Sequence, residues 1–80
     1  MTVHGGVTVV RYGGEAWYSF SGTVDGEGVF FMVKAVRNGG RLSGIETFLP
    51  FLDVLPHETA GAVVRLAADT VDGIRSGAYS

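Results

Sequence analysis

The sequence predicts an α+β fold in two layers, ββββα: a four-stranded antiparallel meander sheet over about residues 7–48, packed by one C-terminal helix over about 57–74. Three observations predict it. Glycine-centred breaks at Gly13-Gly14, Asp25-Gly26-Glu27-Gly28 and Asn38-Gly39-Gly40 recur about every twelve residues and divide the first half into four β-prone runs. The third run, Val29 to Val36, is apolar at odd and even positions alike, whereas a sheet covered on one side alternates. From His57 onward the apolar residues recur at helical spacing.

The first strand is expected over Val7 to Tyr12, with His4 in a frayed terminus before it. The second, Glu15 to Val24, is rich in the aromatic and hydroxyl residues that suit a pleated surface. Period-two alternation puts Ala16, Tyr18 and Phe20 on one face and Trp17, Ser19 and Ser21 on the other, with the Tyr18 side as core. In the third strand Val29, Phe31, Val33 and Ala35 oppose Phe30, Met32, Lys34 and Val36. Asn38-Gly39 then supplies the positive φ angles of a tight hairpin. The fourth run, Arg41 to Phe48, holds Gly44, which marks a bulge or a close backbone approach and suits an edge strand.

Residues Leu49 to Pro56 are apolar but bracketed by Pro50 and Pro56, which deny them a regular helix or a central strand, so they read as a packed connector. The helix places Ala60, Val63, Val64, Ala67, Val71 and Ile74 on one stripe and Arg65, Asp69 and Asp72 opposite. Pro56 suits its first position, Glu58 the positive end of its dipole, and Gly73 or Gly77 its end.

Eighty residues form a single domain, 1–80, near the size at which one core stabilises the fold by only a few kcal/mol and self-association helps. The chain has no cysteine, which removes disulfides, thiolate zinc sites and thiol nucleophiles together. No run approaches the length needed to span a bilayer, and Met1 to Gly6 lack a signal-peptide pattern, so a cytoplasmic location is expected. The net charge of -2 disfavours a strongly electrostatic binder of nucleic acid or membrane.

Nothing in the chain carries a catalytic, metal or cofactor signature. His57 lies near Asp53 and Glu58, yet a metal site needs three or four convergent ligands. The glycine pairs join strand to strand, not strand to helix, so they are hairpin turns and not phosphate loops. The least supported reading is an enzyme holding a small molecule in an apolar cleft near Phe48, Phe51 and Tyr79, with His57 as acid or base.

One helix with a single stripe covers one sheet face only. Trp17, Phe30, Met32 and Val36 are therefore expected to form an apolar patch on the other, and such patches mark interfaces. The function expected is a small non-enzymatic interaction or regulatory protein, without cofactor, that forms a homodimer or binds another protein through that face. The alternative reading rests on charge. Residues 28 to 45 contain Lys34, Arg37 and Arg41 and no acid, so Trp17 and Phe30 beside the basic hairpin 34–41 supply the rings and cations of a single-stranded nucleic-acid platform. The four-stranded meander with its helix is similar in outline to the Pur and the Whirly or coactivator-type single-strand binders, in layout and without a shared motif.

Overall fold

The computed structural model describes residues 1 to 79. Four strands, β1 (Val3–Tyr12), β2 (Glu15–Val24), β3 (Glu27–Asn38) and β4 (Arg41–Phe48), form an antiparallel sheet in the order of the chain. A short 3₁₀ turn over Leu52–Val54 then leads into α1 (His57–Ser76). The predicted two-layer ββββα layout is the observed one.

Turn chemistry sets the register. Asp25 and Gly26 both take positive φ, 50° and 82°, and so do Gly39 and Gly40, 61° and 80°. Two successive left-handed residues are what a two-residue hairpin needs to match the twist of its strands. The third turn is therefore Gly39-Gly40, one residue beyond the expected Asn38-Gly39. The break at Gly44 is a bulge: the register shifts between Val36 and Arg37, Val36 faces Gly44 while Arg37 faces Leu42, and Ser43 is the extra residue. The Ser43 hydroxyl donates to the Val36 carbonyl across the gap at 3.1 Å.

β1 begins four residues earlier than its apolar pattern indicates. His4, expected to fray, pairs with Thr23, and the start of the strand is fastened by Thr2, whose amide donates to the Asp25 carboxylate at 2.7 Å. Glycine makes this extension possible. Where Gly5 meets Gly22 the two backbones approach so closely that a Cβ on Gly22 would lie 2.0 Å from the His4 carbonyl oxygen. Neither residue can carry a side chain there, and that constraint is invisible to a hydrophobic pattern.

The core lies between α1 and one sheet face. Ala16, Tyr18, Phe20 and Val24 of β2 and Val29, Phe31, Val33 and Ala35 of β3 are buried against Val63, Ala67 and Ile74 of the helix. Phe20 and Phe31 are cross-strand partners whose rings stack at 5.2 Å. Each fully buried side chain of this size contributes about 1.5–3 kcal/mol, so these two central strands hold the sheet and helix together.

The buried helix stripe runs through Thr59, Val63, Ala67, Thr70 and Ile74. It is rotated from the expected one: Val64 is exposed, Ala60 and Val71 are half-buried, and two threonines take their place. The Thr70 hydroxyl donates to the Leu66 carbonyl one turn back at 2.9 Å, which satisfies it without a partner in the sheet and lets its methyl group pack. Pro56 is the N-cap in extended geometry, one residue before the first helical position expected for it. Gly77, at φ 81°, ends the helix.

The connector packs on its leucines, which recur every third residue. Leu49, Leu52 and Leu55 pack against the core, while Phe51 and Val54 point outward. The connector therefore packs its leucines toward the helix side, while Leu49 and Pro50 also wall one end of the opposite face and leave the rest of it open.

The Gly5–Gly22 contact yields a direct test. Gly22→Ala is expected to lower the unfolding free energy by about 1–3 kcal/mol in urea titration, the range for forcing a methyl into occupied space. Gly61→Ala, on the exposed side of α1 where a Cβ meets nothing within 4 Å, serves as the control and is expected to leave stability unchanged or raise it by up to about 1 kcal/mol.

Candidate functional site

The face of the sheet opposite α1 is built from rows of residues that the register places side by side. The central row is Thr8, Ser19, Met32 and Phe48. On one side of it lies the row Val10, Trp17, Lys34 and Glu46, and on the other Gly6, Ser21 and Phe30. Beyond Glu46 and Lys34 follow Tyr12, Glu15, Val36 and Gly44.

Trp17 is the fixed point of this face. Its indole N–H donates to the Glu15 carboxylate at 3.3 Å. Its ring lies nearly parallel to that of Phe48, 18° apart with centroids at 6.1 Å, reaching across β3 to do so. The Lys34 ammonium sits 5.4 Å from the ring centroid, a cation–π distance, and forms an ion pair with Glu46 at 3.8 Å. Three side chains, Glu15, Phe48 and Lys34, thus hold one indole in place, with Glu46 anchoring the lysine, and a half-buried tryptophan held this way keeps little conformational freedom.

A cleft of about 640 Å³ opens beside this stack, lined by Trp17, Phe30, Met32, Phe48, Leu49 and Pro50. Its walls are largely apolar. Phe30 and Phe48 remain 38% and 41% exposed, Phe48 as the last residue of the edge strand β4 and Phe30 on β3 just beyond the end of that strand. The patch continues past the cleft at both ends, to Val10 and Tyr12 at the outer strand and to Phe51 at the connector, which adjoins Ser21 and Phe30. Phe51 holds the left-handed conformation, φ 65° and ψ 11°, unusual for a bulky aromatic residue and costly by about 1–3 kcal/mol.

Of the four residues expected to form the patch, Trp17, Phe30 and Met32 meet in the cleft. Val36 shares the face but lies beyond the Lys34 row, at the Gly39-Gly40 end. Of the cations proposed for nucleic acid, Lys34 is engaged by Glu46 and Trp17, while Arg37 and Arg41 sit at the hairpin end and are exposed. The sequence reading missed Val10, Tyr12 and Phe48. Alternation along β1 carries the signal for the first two, and the register adds the rest: Val10 opposite Trp17, Phe48 opposite Met32.

The cleft expected among Phe48, Phe51 and Tyr79 does not exist. Phe48 belongs to the open face, whereas Tyr79 folds back onto the helix side, its ring 5.1 Å from that of Tyr18 and against Gly73. The Arg11 guanidinium donates to the Tyr79 carbonyl at 3.0 Å and fastens this tail. His57 is exposed at the start of α1. Among the described residues no group of three or more metal-ligating side chains gathers, and no helix is long and apolar enough to cross a membrane.

No protein family, curated protein or solved structure gives a significant match to this chain. The site is therefore read from its own geometry.

The Lys34–Glu46 pair is expected to orient the face more than to stabilise the fold, because Glu46 is largely in water. A double-mutant cycle over Lys34→Met and Glu46→Gln should return a coupling below about 1 kcal/mol by chemical denaturation. A larger coupling would mean that the pair is part of the folding core.

Proposed function

We propose that this chain is a small, non-enzymatic interaction or regulatory protein of the cytoplasm that docks a protein, either a second copy of itself or another chain, through the sheet face opposite α1. The observation that carries the proposal is the continuous apolar surface from Val10 and Trp17 through Met32 and Phe48 to Phe30, left uncovered by the only long helix among the described residues. Energetically this surface has the anatomy of an interface: a pinned aromatic at its centre, an adjoining cleft, and charged groups at its margin.

Single-stranded nucleic acid is the second reading, with Trp17, Phe30, Lys34, Arg37 and Arg41 as its contacts. It draws support from the arrangement of the arginines, since Arg11, Arg37 and Arg41 all flank the two hairpins at one end of the sheet. It is the weaker of the two because the one cation lying among the rings, Lys34, already has a carboxylate partner. Salt-dependent affinity lost on replacing Lys34, Arg37 and Arg41 by alanine would favour it over protein docking.

A docking face and a core face respond differently to the same substitution. Phe31→Ser is expected to cost about 3–5 kcal/mol of unfolding free energy. Phe30→Ser and Phe48→Ser are each expected to cost less than half of that, with the fold retained by circular dichroism. Equal losses at all three positions would make the open face a structural element and end this reading.

A further inference from the structure

The open face carries a pattern that selects its occupant. The two rows that flank the centre differ at matching positions: bulky Val10 and Trp17 correspond to small Gly6 and Ser21, in β1 and β2 respectively, and Lys34 corresponds to the Phe30 ring in β3. A two-fold axis in the plane of the face, running across the strands along the row Thr8, Ser19, Met32 and Phe48, exchanges these two rows. It lays Val10 and Trp17 of one chain over Gly6 and Ser21 of the other, and Lys34 over the Phe30 ring, bulk against space and cation against π-face. The other in-plane two-fold, running along the strands, lays Val10 over Glu46 and Trp17 over Lys34, an aliphatic side chain against a carboxylate.

Size agrees as well. The molecule measures 40 × 20 × 19 Å, so its broad face is bounded by about 800 Å² of flat area per copy, which is of the order that each partner of a standard stable interface covers.

Resting on the reading of this face as a docking surface, we infer that its occupant is a second copy of the same chain, joined face to face about a two-fold axis that runs across the strands through the Thr8–Ser19–Met32–Phe48 row. The product is a symmetric eight-stranded sandwich with the two helices outside. Tyr12 of each chain then lies near His4 of the other, and Phe51, which sits beside Phe30, lies over the β3–β4 hairpin end of the other.

Single engineered cysteines test this cleanly because the chain has none of its own. Packed sheets lie about 10 Å apart, beyond the reach of a disulfide, so a short bis-maleimide is the probe. Thr8→Cys alone is expected to give a covalent dimer, and a mixture of His4→Cys with Tyr12→Cys is expected to give severalfold more crosslinked dimer than either variant by itself. Preferential crosslinking of Val10→Cys to Glu46→Cys, the pair that the other axis brings together, would overturn the arrangement. A strictly monomeric mass for the parent chain at tens of micromolar in equilibrium sedimentation would overturn the second copy as occupant. That result would leave docking of a different protein to be decided by the separate stability comparison of Phe30 and Phe48 with Phe31.

Discussion

One helix faces a sheet whose central strand is apolar on both sides, and the rest of the molecule is arranged around that mismatch. The side chains of β3 that point toward α1, from Val29 to Ala35, are buried. Those that point away, Phe30, Met32, Lys34 and Val36, are covered only by their neighbours. No packing of a single α-helix removes apolar area from both faces of a sheet, because its stripe subtends one side only. The protein handles the excess by organising it: the indole of Trp17 is clamped, the lysine beside it is neutralised, and the aromatic rings are stacked instead of splayed.

Such clamping has a cost in polar groups that are kept close to apolar surface, and the balance explains why the face is not simply more hydrophobic. Lys34 spreads its alkyl stem over the sheet while its ammonium meets both a ring and a carboxylate, an arrangement that keeps a hydrated charge within the apolar face. Replacing it by a longer run of aliphatic residues would extend the exposed patch toward the size at which isolated chains aggregate without specificity. The rows of small and large side chains serve the same end. They give the surface a shape to be matched and not merely an area to be hidden.

Much of the fold was legible because β-turns and period-two alternation are local properties. The limits of β2 and β4 and the inward set Ala16, Tyr18 and Phe20 follow from the order of residue types alone. What escaped was set by contacts distant in sequence. The start of β1 depends on a glycine pair from two strands and on an Asp25 carboxylate more than twenty residues away. The rotation of the helix stripe onto Thr59 and Thr70 depends on where the sheet lies beneath it, and a threonine that satisfies its own hydroxyl can replace valine without any trace in a hydrophobicity pattern. At the candidate site the odd and even members of β2 and β3 could be sorted by alternation, but Phe48 joined Trp17 only once the register of β4 was known.

The order of the strands also bears on how the chain reaches this state. Every pairing in the sheet joins neighbours in sequence, so each hairpin closes a loop of two residues and the sheet can zip from turn to turn at small entropic cost. The expensive closures come last. The helix, reached through the 49–56 connector, lies chiefly over β3, and the tail returns to Arg11 from the far end of the chain. A sheet assembled before its helix has two bare apolar faces, so for a short interval both sides of β3 stand in water. The face that the helix never covers thus differs from the core face only in remaining open after the other has closed.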